Sequence, residues 1–288
     1  MKIGLVGTGL MGAPLASRLL QGGFEATVYN RTPEKARPLA DEGAEVVENP
    51  VSVVGPSDAI ITMLSDAAAI REVLLTNEAS RMLEGKTLIN MATIAPKESR
   101  EIAREVTRAG GEFMEAPVLG SIPQAQTGTL LLMVGATEAQ FERFLPVLKC
   151  FGEQPRLIGP VGRGAALKLA MNQLIASLTS AFSLSLGLVQ REGVPVETFM
   201  EILRESALYA PTFDKKLNRM LERDFGDPNF PVKHLLKDVR LFREVAAGDD
   251  LDDRFLEGIA HILESAEAGG DGDKDYSALF NAVVPRHD

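Results

Sequence analysis

Two short stretches carry residues whose types and spacing point to chemistry. The first is Gly7-Thr-Gly-Leu-Met-Gly12, a Gly-x-Gly-x-x-Gly run that the apolar stretch Lys2–Val6 leads into and a helical pattern, Ala13–Leu20, follows. Strand, glycine turn and helix in that order form a cradle for a dinucleotide pyrophosphate. Gly7 permits the tight turn, Gly9 lets backbone approach the phosphates and Gly12 lets helix and strand pack closely, with Leu10 and Met11 completing the turn. N–H groups at the helix start, together with the helix dipole, favour the anionic phosphates. The second stretch is Gly162-Arg-Gly-Ala-Ala-Leu-Lys168-Leu-Ala-Met-Asn172. Lys168 and Asn172 are four apart and share one helix face, among the apolar Leu167, Leu169, Ala170 and Met171. Desolvation there lowers an amine's pKa toward the range useful for proton transfer. A lysine that snorkels to solvent is the plainer alternative.

Two further segments offer polar groups to a ligand. Glu115-Ala-Pro-Val-Leu-Gly-Ser121 ends a predicted strand, and Gly120 and Ser121 there can present backbone N–H groups and a hydroxyl to an anionic substrate. Phe230-Pro-Val-Lys-His-Leu-Leu-Lys237-Asp238 brings an amine beside a carboxylate, a pair equally common on a plain protein surface. The identity of the dinucleotide is read from the second predicted strand, which runs to Tyr29. An acidic residue after such a strand accepts the ribose 2′-hydroxyl of NAD. Here the place holds neutral Asn30, followed by Arg31 and Thr32, and Arg31 presents a planar fork of donors to a 2′-phosphate. NADP(H) is the expected cofactor.

The elements that must position these residues change character along the chain. Strands are predicted at 2–6, 26–29, 59–63, 87–90, 112–115, 130–134 and 155–158, with helical patterns between most of them, among them 33–42 and 95–109. This alternation predicts a mostly parallel, doubly wound Rossmann-type sheet with helices on both faces and ligands at the carboxyl ends of its strands. Beyond residue 164 no strand pattern remains. A long apolar helix is expected over 165–192, then helices at 195–205, 214–223, 235–247, 252–268 and 277–283. The expected division is a dinucleotide-binding α/β domain over 1–161 and an all-α domain over 162–288, with the long helix central to the second domain or to a subunit interface.

A chain of 288 residues with 45% hydrophobic and 24% charged residues is ordinary for a globular protein. A net charge of −10 argues against nucleic acid or an anionic membrane as a general partner. No apolar run is read as long enough to cross a membrane. The lone Cys150 has no partner for an internal disulfide, which suits a reducing compartment and a cytoplasmic location. His234, His261 and His287 are scattered, and no metal site is expected. A strand carrying a motif at the N-terminus is not expected to be a removable signal peptide.

Taken together, Gly7–Gly12, Pro117-Val-Leu-Gly120, the Gly164-x-x-x-Lys168-x-x-x-Asn172 helix, Lys237-Asp238 and Asp275-Tyr-Ser-Ala278 resemble the β-hydroxyacid dehydrogenase family, which includes 3-hydroxyisobutyrate dehydrogenase, over nearly the whole chain. Asn30-Arg-Thr32, Met63-Leu-Ser-Asp66, Gly120-Ser121 and Phe230–Asp238 are similar to its NADPH-dependent glyoxylate and succinic semialdehyde reductases. The resemblance implies that Lys168 is catalytic with Asn172 as its neighbour, that Thr93 and Lys237 contact the nicotinamide end, and that Met63 and Leu64 flank the adenosine. By the same resemblance Ser121, Phe230 and Asp238 line the substrate pocket, and the chain forms a homodimer or homotetramer through its helical domain. The family's Pro-Val-Ser-Gly is changed here, with Leu119 in place of the serine, which removes a hydroxyl donor for a substrate carboxylate.

The expected reaction is hydride transfer from NADPH to a small carboxylated aldehyde or keto acid. Lys168 donates the proton, oriented through a hydrogen bond with Asn172. The alternatives are a 3-hydroxyisobutyrate or other 3-hydroxyacid dehydrogenase, an imine reductase, and a non-catalytic nucleotide-binding protein on the same scaffold.

Overall fold

Short apolar runs with residues alternating between two buried faces build the first half of the chain. In the computed structural model, which describes residues 1–286 and so leaves His287 outside the described residues, they form β1 (Lys2–Val6), β2 (Glu25–Tyr29), β3 (Glu45–Val46), β4 (Ala59–Thr62), β5 (Thr87–Asn90), β6 (Glu112–Glu115), β7 (Val118–Leu119), β8 (Leu131–Gly135) and β9 (Arg156–Gly159). The sheet order is β3-β2-β1-β4-β5-β6-β8-β7, with β9 paired to β8. The first six strands are parallel, in register through pairs such as Ile3↔Ala26, Ile3↔Ala59, Ala59↔Thr87 and Thr87↔Glu112. β8 runs antiparallel to β6 and β7, and parallel to β9. This is the doubly wound sheet the alternation predicts.

The helices of this half are α1 (Gly12–Gln21), α2 (Pro38–Asp41), α3 (Val51–Val54), α4 (Ala67–Leu74), α5 (Asn77–Arg81), α6 (Pro96–Arg108), α7 (Ile122–Thr127) and α8 (Glu138–Leu148). Successive strand residues point to opposite faces. Ile3, Leu5, Ile61, Ile89 and Met114 therefore join Leu15 and Leu19 of α1 and Phe144 and Leu148 of α8 in one core. Val6, Ile60, Leu88 and Phe113 join Ile70 and Leu74 of α4 and Ile102 and Val106 of α6 in the other. With both faces covered, the central strands β4 and β5 are buried throughout, as in parallel sheets packed on both sides. Cys150 is buried against this core, and burial pushes its thiol up. The helix expected over 33–42 is broken into a 3₁₀ turn at Pro33–Lys35 and α2, because Pro38 lacks the N–H that would continue the first turn.

The described residues fall into two compact units, Met1–Lys168 and the residues from Leu169 onward. α9 (Arg163–Arg191) starts in the first and runs on into the second, followed by α10 (Val196–Glu205), α11 (Pro211–Glu222), α12 (Val232–Gly248), α13 (Arg254–Ala266) and α14 (Leu279–Val283). Ala176, Phe182 and Leu186 of α9 pack with Phe213, Met220, Leu235, Leu236, Leu263 and Phe280 in the core of the second unit. Two helices start earlier than the periodicity suggests, at Pro211 and just after Pro231. A proline at a helix start loses nothing, since its missing N–H would have had no helical partner.

The expectation that no apolar run reaches spanning length is corrected by α9. An 18-residue stretch of this 29-residue helix reaches a mean hydropathy of 1.3, enough by length and composition to cross a membrane. Its buried side chains build the core of the second unit, while Leu174, Leu178, Leu184 and Leu188 lie exposed on the same helix.

Candidate active site

The glycine turn is shaped by contacts that admit no side chain at two of its three glycines. Gly7 has a φ of +99°, and a Cβ there would lie 2.4 Å from the Met63 carbonyl oxygen. A Cβ on Gly12 would lie 1.7 Å from the Gly7 carbonyl oxygen, so the start of α1 packs directly on the turn. A Cβ on Gly9 would meet nothing within 4 Å. Its face is open, as a backbone awaiting a ligand must be. The first turn of α1 carries no acidic residue and no side-chain cap at Met11, and half-exposed Leu10 follows Gly9. The Thr8 hydroxyl is buried without a hydrogen-bond partner among the described residues, and an unsatisfied buried donor costs free energy unless something meets it. An open backbone face, a buried hydroxyl and a helix N-terminus suit a pyrophosphate.

Loops at the carboxyl ends of the central strands tie to one another. Gly7 N donates to Tyr29 O at 2.9 Å, Met63 N to Val6 O at 3.0 Å, Met91 N to Thr62 O at 2.9 Å and Ala116 N to Asn90 O at 2.8 Å. Met63 and Leu64 therefore abut the glycine turn. Asn30 Oδ1 accepts from Thr8 N at 3.0 Å, and its Nδ2 donates to Thr32 O at 2.9 Å. The amide thus braces the turn against the exposed Arg31-Thr32 loop. Asn90 does the same for half-buried Thr93: its Oδ1 accepts from Thr62 Oγ1 and Ala92 N, and its Nδ2 donates to Ala92 O.

The 115–121 segment is more constrained than its sequence suggests. Gly120 has a φ of +138°, and a Cβ there would lie 2.6 Å from Leu130 Cδ2. Leu119 pairs with Leu131 in the β7–β8 ladder. Ser121 N and Ser121 Oγ both donate to Gln124 Oε1, at 3.0 and 2.9 Å. The hydroxyl expected to face a substrate is engaged in closing the start of α7. Ser121-x-x-Gln124 reads as a capping pattern, so this engagement was legible locally.

Glu115 went unnoticed in the sequence and is fully buried. Its Oε1 accepts from Gly162 N at 2.8 Å and Ala165 N at 3.0 Å, and its Oε2 accepts from Ser99 Oγ. Burial pushes its carboxyl up, against the opposing pull of these donors. Lys168 follows in the second turn of α9 and is buried, 9% exposed.

In the second unit, Asn172 is buried and its Nδ2 donates to Asp238 Oδ2 at 2.6 Å. Sequence reasoning gave this side chain the task of orienting Lys168; its bond to a carboxylate 66 residues away carried no local signal. Lys237 Nζ forms an ion pair with Asp238 Oδ1 at 3.0 Å. Buried Asp238 is thus gripped from two sides. Half-buried Phe230 stacks near-parallel on His234, centroids 6.5 Å apart, and meets Tyr276 edge-on. Burial first, then Lys237 and Lys233, pulls the His234 imidazole below its usual range.

A family model described as the NAD binding domain of 6-phosphogluconate dehydrogenase matches residues 2–161. Another, described as the NAD-binding of NADP-dependent 3-hydroxyisobutyrate dehydrogenase, matches residues 162–283. The chain is 34% identical over 287 residues to glyoxylate/succinic semialdehyde reductase 1 of Arabidopsis thaliana, covering 98% of each protein. It is 30% identical to the cytokine-like nuclear factor N-PAC of Homo sapiens, covering 98% of this chain and 51% of that one. A solved 3-hydroxyisobutyrate dehydrogenase from Salmonella typhimurium superposes with a TM-score of 0.87 at 24% identity, over 98% of this chain and 99% of the other, a likeness of fold. With both halves matched and a relative aligned end to end, the chain belongs to the 3-hydroxyisobutyrate dehydrogenase family of NAD(P)-dependent oxidoreductases.

Proposed function

We propose that the chain uses NADPH to reduce a small carboxylated aldehyde or keto acid, as a glyoxylate or succinic semialdehyde reductase does. The observation that carries this reading is Lys168, a lysine buried in the second turn of α9. The bound dinucleotide supplies the hydride. As hydride reaches the carbonyl carbon, negative charge grows on the oxygen; the Lys168 ammonium stabilises it and gives up its proton there. In the oxidative direction the neutral amine takes the proton back. Asn172 stands one helical turn further on, fixed by Asp238.

The Gly7–Gly12 turn and the Thr8 hydroxyl hold the pyrophosphate. Arg31 and Thr32 take the 2′-phosphate, and Asn30 shapes their loop. Met63 and Leu64 flank the adenosine. Thr93 and Lys237 serve the nicotinamide end, while Phe230 and Asp238 belong to the substrate pocket. Gly120 and Ser121 receive the substrate carboxylate, with Ser121 exchanging its bond to Gln124 for one to the substrate. The preference for NADPH rests on neutral Asn30 beside Arg31. The end-to-end alignment with the Arabidopsis reductase supports the substrate class. Exposed Leu174, Leu178, Leu184 and Leu188 on α9 suit burial against a second copy in a homodimer or homotetramer, and the single buried thiol suits a reducing cytoplasm.

One observation favours a second reading, oxidation of 3-hydroxyisobutyrate or a similar 3-hydroxyacid: residues 162–283 match the family model described as the NAD-binding of NADP-dependent 3-hydroxyisobutyrate dehydrogenase, while Leu119 in place of the family's serine takes a hydroxyl donor from either substrate's carboxylate. The deciding experiment follows NADPH oxidation with glyoxylate and succinic semialdehyde, and NADP⁺ reduction with 3-hydroxyisobutyrate, each repeated with the NAD form. Turnover of either aldehyde with an NADPH preference is the expected result. Turnover of the hydroxyacid alone transfers the assignment to the second reading, and dinucleotide binding without turnover of any of the three transfers it to a non-catalytic role.

A further inference from the structure

We infer that Glu115 is a positioning residue that sets the placement of the Lys168 amine by gripping the first turn of α9; this rests on the reading of Lys168 as the proton donor. The grip is direct. Glu115 Oε1 accepts from Gly162 N at 2.8 Å and from Ala165 N at 3.0 Å, while Ser99 Oγ donates to Oε2 and fixes the carboxylate from the other side. Lys168 lies three residues after Ala165 and four after Gly164. It therefore shares their helix face, about 4.5 Å further along the axis at ~1.5 Å per residue. A tilt of the first turn is passed on to the amine.

The surroundings are cut to fit this carboxylate. A Cβ at Gly135 would lie 2.3 Å from Oε1, and one at Gly164 would lie 3.1 Å from Oε1 and 2.4 Å from the Met133 carbonyl oxygen. The missing side chains let β8, α9 and the carboxylate close on one point. Three site segments meet there. Ser99 lies in the first turn of α6, just after the Thr93 loop; Glu115 opens the 115–121 segment; α9 carries Lys168. One buried anion thereby fixes their mutual placement within the first unit.

Stability alone explains the arrangement poorly. An ordinary N-cap of a helix uses an exposed Ser, Thr, Asp or Asn beside it in sequence. This one reaches 47 and 50 residues across the fold and buries a charge completely, which costs folding free energy even with several donors. The raised carboxyl is the sign of that cost. What the arrangement secures is geometry, and a misplacement of about 1 Å in an active site can cost ~10²-fold in rate.

The test compares E115Q, S99A and K168A with the parent full-length protein. E115Q is isosteric and removes the charge. With glyoxylate and succinic semialdehyde, E115Q is expected to lower kcat about tenfold or more. Its NADPH Kd, read by fluorescence titration, should stay within about twofold, and its Tm should shift by only a few degrees, since the relief of burying a charge and the weakening of its charge-assisted bonds oppose each other. S99A frees one side of the carboxylate and should show the same pattern more weakly, keeping the test open if E115Q does not fold. A readout independent of turnover is the rate at which Lys168 is reductively methylated, measured by mass spectrometry against exposed Lys233; E115Q should change that ratio severalfold. Parental kcat and parental Lys168 labelling in E115Q overturn the inference, as does a kcat loss matched by equal losses in NADPH affinity and Tm, which marks a fold role only. Parental turnover in K168A instead overturns the assignment of the proton donor itself.

Discussion

Gly9 and Gly12 lie three residues apart in one turn, yet a methyl group added to each meets different things, and the contrast separates a glycine kept for a ligand from one kept for packing. At Gly12 the new Cβ would lie 1.7 Å from the Gly7 carbonyl oxygen and 2.8 Å from the Gly7 carbonyl carbon. Reaching an ordinary contact of about 3.4 Å needs a displacement near 1.7 Å between α1 and the turn, and both partners are backbone. Overpacking of this kind costs about 1–3 kcal/mol, which for a unit of this size lowers Tm by roughly 2–12 °C. At Gly9 the Cβ would meet nothing within 4 Å, so the folded protein has no reason to notice it. A pyrophosphate drawn close to that backbone does. Pushing it outward forfeits one or two charge-assisted hydrogen bonds of about 1.5–3 kcal/mol each, a loss of ~10–10²-fold or more in NADPH affinity at 1.4 kcal/mol per tenfold. The assay is paired: Tm by differential scanning fluorimetry without nucleotide, and NADPH Kd by fluorescence titration. G12A should lower both Tm and affinity, and G9A affinity alone. A G9A variant that binds NADPH as tightly as the parent refutes the close approach of phosphate to this turn.

K168A should cut turnover by ~10²–10⁴-fold while NADPH titration remains near parental, the loss expected when a general acid is removed. R31A should weaken NADPH by about 10–10²-fold and leave NADH unchanged, since only the 2′-phosphate loses its charged partner; equal effects on the two nucleotides in steady-state kinetics would remove Arg31 from that role. Lys216 and Asp275 form a buried ion pair at 2.7 Å, beneath the Tyr276 ring. K216M strands the Asp275 carboxylate and should cost ~3–5 kcal/mol in urea unfolding, whereas K216M combined with D275N should recover most of it. His234 titrates below its usual 6.5 in the folded chain. Its contribution to stability is therefore present above pH 6.5 and lost as pH falls toward the depressed folded value. The urea midpoint of the parent should drop faster than that of H234N between pH 7.5 and 5.5, and parallel curves would rule the effect out.

Much of the fold was legible because its signals are local. Apolar runs with helical patterns between them predict seven strands that the sheet contains, and the missing β3 and β7 are two residues long, too short for any period to register. The break at Pro38 and the capping of Ser121 by Gln124 were equally local and could have been read from proline and cap chemistry. Glu115 offered no such sign: one carboxylate at the end of a strand looks like any other until the chain folds.

By itself the sequence determined the alternation that builds the sheet, the glycine turn, the neutral and cationic pair after β2, and an amine among apolar neighbours on a long helix, since each depends on residues within a turn or two of one another. Tertiary structure alone decided that Asn30 braces the turn through Thr8, that Asp238 takes the Asn172 amide 66 residues away, and that Glu115 closes on the start of α9 from 47 residues back. Those bonds join segments whose meeting is set by strand order and helix packing, and no spacing along the chain encodes them.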